Sequence, residues 1–401
     1  MTSVSSRLLI PRVLVISSLV LFNVGCGGGV RARSRAVPRN ASQVEMDPVR
    51  IQAHRDDSGE LRLEAYDAQS LFAAANQALS QNRCDRAVPL YDRISNEFPE
   101  SRWVSASLYN AGLCLEELHR DAQAIERYRR LQERLPDSTD IKDSLFRAGG
   151  CLERLQRWSD SSANFERVLA RQDLSGDERM EAMVRRGVAI FEQGDLDRTD
   201  VLMREAILYY RSGSGAEPIQ TDYFMAQAQY MLGEVLRVRM EAIRFSPSEA
   251  AMRIELEQKS QHLLDAQAAY ILAIRVTNPH WAAAAGYRIG MLFSTLYDHI
   301  MAAPVPPELD AEQRQIYFEE LRRQIRPLVD KAVRVWSRTM EMGTRTGLGQ
   351  QHEWVERAER EMGRLRALVP PPAGTAAPPA GPQQNSGPHG ATGAVPAPNL
   401  S

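Results

Sequence analysis

The sequence predicts an all-α fold, a solenoid of antiparallel helix pairs stacked side by side. Three observations carry that prediction. First, one pattern recurs: Ala87-x3-Tyr91-x2-Ile94-x4-Pro99, Ala124-x3-Tyr128-x2-Leu131-x4-Pro136, and Ser161-x3-Phe165-x2-Val168, with starts at 87, 124 and 161, a constant step of 37 residues. Second, each copy is preceded by an apolar stripe at helical spacing, as in Leu108, Ala111, Gly112 and Leu115. Third, a unit this short cannot bury its own apolar face, so neighbours must stack.

Composition narrows the function classes. The 401 residues carry 49 Lys and Arg against 51 Asp and Glu, a net charge of −2. A nucleic-acid partner is not expected, because its footprint is a basic stripe or a strongly basic domain.

Residues 1–25 read as a signal peptide. Arg7 and Arg12 supply positive charge, and Val13 to Phe22 is an apolar run too short to span a bilayer. Small residues follow and end at Gly25-Cys26. This stretch resembles a bacterial lipoprotein precursor, although Asn23 stands where that motif usually has Leu. The resemblance implies cleavage before Cys26 and lipid attachment to its thiol. Several acyl chains at about 0.8 kcal/mol per buried methylene would hold the protein on a membrane. Gly27, in place of the Asp that commonly retains such proteins at the inner membrane, implies the periplasmic face of the outer membrane.

Residues 26–48 read as a flexible tether with Arg31, Arg33, Arg35 and Arg39. Residues 49–66 alternate apolar and polar around Asp56-Asp57-Ser58-Gly59, which predicts a β-hairpin or an extended segment. The solenoid proper spans 67–240. Its small residues Gly112 and Ala124 allow close helix approach, Tyr128 fills the space beyond, and Pro136 closes the unit. Leu145, Ala148, Gly149 and Phe165 repeat this; Leu71, Ala75 and Tyr91 begin it. Met183, Gly187, Ile190 and Ala206 form a weaker fourth unit, and Tyr230, Leu232 and Gly233 open a fifth.

These residues resemble tetratricopeptide repeats. The connectors Phe98-Pro99-Glu100-Ser101 and Leu135-Pro136-Asp137-Ser138 look like those of BamD and YbgF-like outer-membrane lipoproteins. The resemblance implies a scaffold whose concave face binds segments of other proteins.

Beyond about residue 240 the period is lost. Residues 241–368 read as longer helical hairpins continuing the solenoid, with helix starts near Glu249, His280 and Asp310 and with Pro327 ending or kinking its helix. From residue 369 to 401 the chain is Pro, Gly and Ala-rich, with no Asp, Glu, Lys or Arg, and reads as disordered.

No catalytic constellation is present. The sequence lacks GxxxxGK[ST], HExxH and GxSxG, and its seven histidines are scattered, so neither a catalytic residue, a cofactor nor a metal is expected. Cys84 and Cys114 fall near the start of one helix and late in the next, where they meet either as a disulfide or as small buried thiols. Cys114 and Cys151 are repeat equivalents, roughly 10 Å apart by interhelical spacing, beyond disulfide reach. By resemblance to the carboxylate clamp of some tetratricopeptide domains, Asn76, Asn110 and Arg147 fall on its asparagine and arginine positions. Phe72 and Asp143 replace its lysines, so a true clamp is rejected. Asn76 and Asn110 remain candidate backbone-binding groups, with Phe72 as an apolar contact.

The expected function is therefore a non-enzymatic scaffold or adaptor lipoprotein of the bacterial envelope, serving outer-membrane assembly, division, or a motility or secretion machine. Its partners would be other envelope proteins or peptide segments, with the membrane reached through the lipid. The alternative is a periplasmic carrier of peptidoglycan or a secreted substrate.

Overall fold

The computed structural model describes residues 48–55, 59–213, 219–305, 307–349 and 352–368. Residues 1–47, which hold Cys26, the segment read above as signal peptide and nearly all of that read as tether, and residues 369–401 lie outside the described residues. The chain begins with an antiparallel hairpin, β1 (Arg50–Arg55) and β2 (Leu61–Tyr66). Helices follow without further strands among the described residues: α1 (Ala68–Ser80), α2 (Cys84–Glu97), α3 (Val104–Glu117), α4 (Asp121–Arg134), α5 (Ile141–Arg154) and α6 (Trp158–Leu169). Next come α7 (Gly176–Glu192), α8 (Leu196–Ser212), α9 (Tyr223–Ala242), α10 (Glu249–Arg275), α11 (Pro279–Met301), α12 (Ala311–Arg345) and α13 (Glu353–Leu368).

Each helix packs against the one before and the one after, and odd-numbered helices also touch one another from α7 onward. The all-α solenoid reading holds, with the hairpin as its one β element.

Turns within the first four pairs share one construction. After α1, Arg83 N–H donates to the Ala78 carbonyl at 2.9 Å and Asn82 N–H to Leu79 at 2.8 Å. Arg120 and His119 do the same to Leu115 and Glu116, Arg157 and Gln156 to Leu152 and Glu153, and Asp195 and Gly194 to Ile190 and Phe191. The residue at the bend is left-handed each time: Asn82, His119 and Gln156 at φ 55°, Gly194 at φ 85°. This is a Schellman closure, which satisfies the last helix carbonyls and turns the chain back within three residues.

Of the two outcomes expected at Pro327, ending the helix does not occur, since α12 runs through it for 35 residues. The proline is exposed, so water can satisfy the carbonyl it leaves without a partner, and well-formed turns on both sides keep the helix continuous.

Candidate functional site

The odd-numbered helices carry small residues that open gaps, and large side chains from the even-numbered helices fill them. The pairs are Gly112 with Tyr128, Gly149 with Phe165, Gly187 with Met203, Gly233 with Tyr270, and Gly290 with Trp336. A Cβ at any of these glycines would overlap its partner side chain. The large residues are fully buried. The polar ends of Tyr128, Tyr270 and Trp336 must find partners on the odd-numbered helices, because an unmet buried polar group costs about 1–3 kcal/mol.

Those partners are specific. Tyr91 Oη donates to Asn76 Oδ1 at 2.6 Å, Tyr128 Oη to Glu116 Oε1 at 2.6 Å, and Tyr270 Oη to Glu234 Oε1 at 2.5 Å. Trp336 Nε1 donates to the Tyr287 carbonyl at 3.0 Å. Phe165 has no hydroxyl, and the Arg185 guanidinium instead lies 4.6 Å from its ring centroid.

Ion pairs then link one odd helix to the next. Arg154 of α5 reaches Glu116 of α3 at 2.7 Å and Asp121 at 2.6 Å. Arg185 of α7 reaches Glu153 of α5 at 2.7 Å and its own Glu181 at 2.8 Å. Arg288 of α11 reaches Glu234 of α9 at 2.9 Å, and Arg237 meets Glu234 at 2.9 Å and Glu241 at 2.7 Å. Burial works against the charge of Arg185, but Glu153 and Glu181 outweigh it and hold the guanidinium above its ordinary range. Arg154 holds the Asp121 carboxyl below the usual carboxylate range. The outcome is a face with fixed charges whose partners are already chosen.

The sequence-predicted residues lie at the first end of this face. Asn76 is exposed and accepts from Tyr91, and Asn110 lies beside the same hydroxyl. Burial pushes the Tyr91 hydroxyl up to about 12, so it remains a neutral donor. Phe72 is half-buried, stacked on Trp103 with centroids 4.4 Å apart and edge-on to Tyr91 at 5.9 Å. It therefore works chiefly as packing between α1 and the start of α3. Arg147 is exposed and belongs to a separate cluster, hydrogen-bonded to Tyr109 in the field of Glu116. So Phe72, Asn76 and Asn110 converge on Tyr91, and Arg147 stands apart.

Cys84 and Cys114 do meet. Their sulfurs are 2.7 Å apart, buried, and both are free thiols. Burial and the neighbouring Cys84 push the Cys114 thiol well above its ordinary range, which makes it a poor nucleophile.

Two hollows open on the odd-helix face. One of ≈570 Å³ is lined by Asn82, Cys84, Glu116, Glu117, His119, Arg147 and others. A second, of ≈380 Å³, lies across α5, α7 and α9, with Glu153, Glu181 and Arg185 beside Trp158, Tyr223 and Phe224. Tyr223 continues into an aromatic cluster with Trp281 at 5.5 Å and His280 at 6.2 Å. Sequence reasoning missed this second region. A partial signal was the aromatic residue opposite four of the five glycines, which invites a polar or cationic partner from the adjacent helix.

Comparison with known proteins gives one family match: residues 106–138 match the tetratricopeptide repeat, which is the α3–α4 pair. No curated protein matches the sequence. Among solved structures, MamA from Desulfovibrio magneticus RS-1 is 14% identical, covering 50% of this chain and 96% of its own, with a TM-score of 0.33. A tetratricopeptide repeat protein from Parabacteroides merdae is 10% identical, covering 73% and 98%, with a TM-score of 0.35. The apo form of RapI is 9% identical, covering 75% and 97%, with a TM-score of 0.38.

Proposed function

We propose that this chain is a non-enzymatic scaffold of the bacterial cell envelope, held at the periplasmic face of the outer membrane by lipid on Cys26. Its odd-helix face binds extended segments of other envelope proteins. The supporting observation is the hollow across α5, α7 and α9, where aromatic rings stand beside charges fixed by their own ion pairs. An extended peptide needs apolar pockets for alternate side chains and polar groups for its backbone, and this hollow offers both in adjacent positions. Outer-membrane assembly, division, and motility or secretion are the processes such a scaffold would serve.

Photo-reactive residues in place of Gln227 and Arg147, on the chain expressed in cells, test the binding face. Discrete protein adducts that vanish with Tyr223→Ala are the expected result. Adducts to glycan alone would replace this reading with that of a carrier. Cys26→Ser should move the protein from the membrane pellet to the soluble periplasmic fraction; retention in the pellet would overturn the anchor.

A further inference from the structure

The β1–β2 hairpin turns its apolar face outward. Its register pairs Ile51 with Ala65, Ala53 with Leu63 and Arg55 with Leu61. One face therefore gathers Val49, Ile51, Ala53, Leu61, Leu63 and Ala65, with Arg55 at its turn end donating to the Gly59 carbonyl at 2.9 Å. Val49, Ile51, Leu61 and Leu63 are 55%, 70%, 65% and 70% exposed. The hairpin is fixed to the helices through the opposite face. There Arg50 donates to the Glu97 carbonyl at 2.8 Å, Tyr66 Oη donates to Glu97 Oε2 at 2.6 Å, and the Tyr66 and Phe98 rings meet edge-on at 6.1 Å. A two-stranded ribbon is marginal alone, and one that shows water its aliphatic side is more so.

We infer that this face rests on the surface of a phospholipid bilayer. The inference rests on the anchoring reading above. Two features select lipid over protein. The face is about 20 Å by 10 Å, from strand rise and spacing, roughly a quarter of the ~800 Å² per partner that a specific protein interface needs. A second copy docked face to face would fall equally short. Strand addition to either edge of the ribbon would leave the aliphatic face in water. A bilayer surface requires no shape match, and it removes the exposed area of four large aliphatic side chains from water. The second feature is charge. Val49 follows Cys26 by only 23 positions, and residues 27–48 between them carry Arg31, Arg33, Arg35 and Arg39 against two acids, Glu45 and Asp47, a net charge of +2 with the arginines nearest Cys26. Such a basic stretch favours anionic headgroups. The lipid thus supplies attachment, the arginines attract the headgroups, and the hairpin sets how the first repeat meets the membrane.

The test uses the full lipidated chain reconstituted in phosphatidylethanolamine–phosphatidylglycerol vesicles. An environment-sensitive fluorophore is placed singly at Ile51→Cys, Leu63→Cys, Gln52→Cys or Glu64→Cys, the three native core thiols being shielded from label. Nitroxide-bearing lipids should quench the first two several-fold more than the last two. Equal, weak quenching at all four, with mass spectrometry confirming lipid on Cys26, overturns the inference. Energy transfer between copies at Leu63→Cys without quenching assigns the face to a second copy and also overturns it. If mass spectrometry finds Cys26 bare, the anchoring reading falls on its own, and the quenching pattern of the unanchored chain added to the same vesicles still decides the hairpin.

Discussion

The first eight helices and the last five solve the same packing problem with different lengths. From α3 to α8 the glycine and its large partner sit at 112 and 128, 149 and 165, 187 and 203, a fixed interval of 16 residues. In the later pairs the positions are 233 and 270, then 290 and 336, intervals of 37 and 46. The helices lengthen to match, with 27 residues in α10 and 35 in α12 against 14 in α4. The steric pair survives while the period disappears. What defines the stack is a backbone gap on one helix filled by a bulky side chain from its partner, and the loop and helix lengths between them are free to vary.

The halves also differ in how they are fastened. All three described cysteines lie in the first half, and the free thiols of Cys84 and Cys114 face each other between the start of α2 and the end of α3, where oxidation would staple them. Short helices bury less area per repeat, so a staple adds proportionally more there. If the chain is exported to a compartment that oxidises thiols, mass spectrometry of the native protein should find it two hydrogens lighter. Reduction should then cost about 2–4 kcal/mol and speed amide exchange in α1–α4 while leaving α9–α12 unchanged. A protein that keeps all its hydrogens after export removes this asymmetry.

A gap test compares the halves directly. Gly112→Leu and Gly290→Leu should each cost about 1–3 kcal/mol, because the buried tyrosine or tryptophan cannot withdraw without opening the stack. Gly363→Ala in α13 meets open space and should instead stabilise by up to about 1 kcal/mol through helix propensity. Thermal unfolding of the three variants decides. A harmless Gly290→Leu would show that the late pair is not a true counterpart of the early ones.

Sequence legibility follows the same division. The constant step of 37 residues between Ala87, Ala124 and Ser161 made the first repeats readable, and alternation around Gly59 made the hairpin readable. Gly290 and Trp336 escaped because a pair 46 residues apart leaves no periodic trace. The candidate site was half legible. Asn76 lies on α1 and Asn110 on α3, but their convergence on Tyr91 depends on a hydroxyl arriving from another helix. Arg185 and Glu153 were missed for the same reason, since ion pairs between successive odd helices have no fixed sequence interval.

A further prediction concerns a group with no counterpart among the described residues of the first half. Lys259 is fully buried in α10; its Nζ donates to the Met240 carbonyl at 2.7 Å, caps the end of α9, and lies 2.7 Å from His299 Nδ1. Burial pushes the ammonium down from 10.5 to about 8, Arg244 acts in the same direction, and Glu241 opposes. His299 is lowered as well, by burial and by Lys259, so it faces the lysine neutral at pH 7. Because the folded value lies below the unfolded one, both states are protonated below about pH 8 and the penalty is fully present there. Between about pH 8 and 10.5 the unfolded chain holds a proton that the folded chain has released, so this group makes stability rise with pH, by at most about 1.4 kcal/mol per unit. Lys259→Met keeps the volume and removes the titration. Tyrosines and thiols titrate in the same range in both proteins, so the readout is the difference between the two unfolding curves at pH 7.5 and 9.5. The native chain should gain on the variant across that interval; parallel behaviour would mean that Lys259 stays charged and that its carbonyl and imidazole partners solvate it fully.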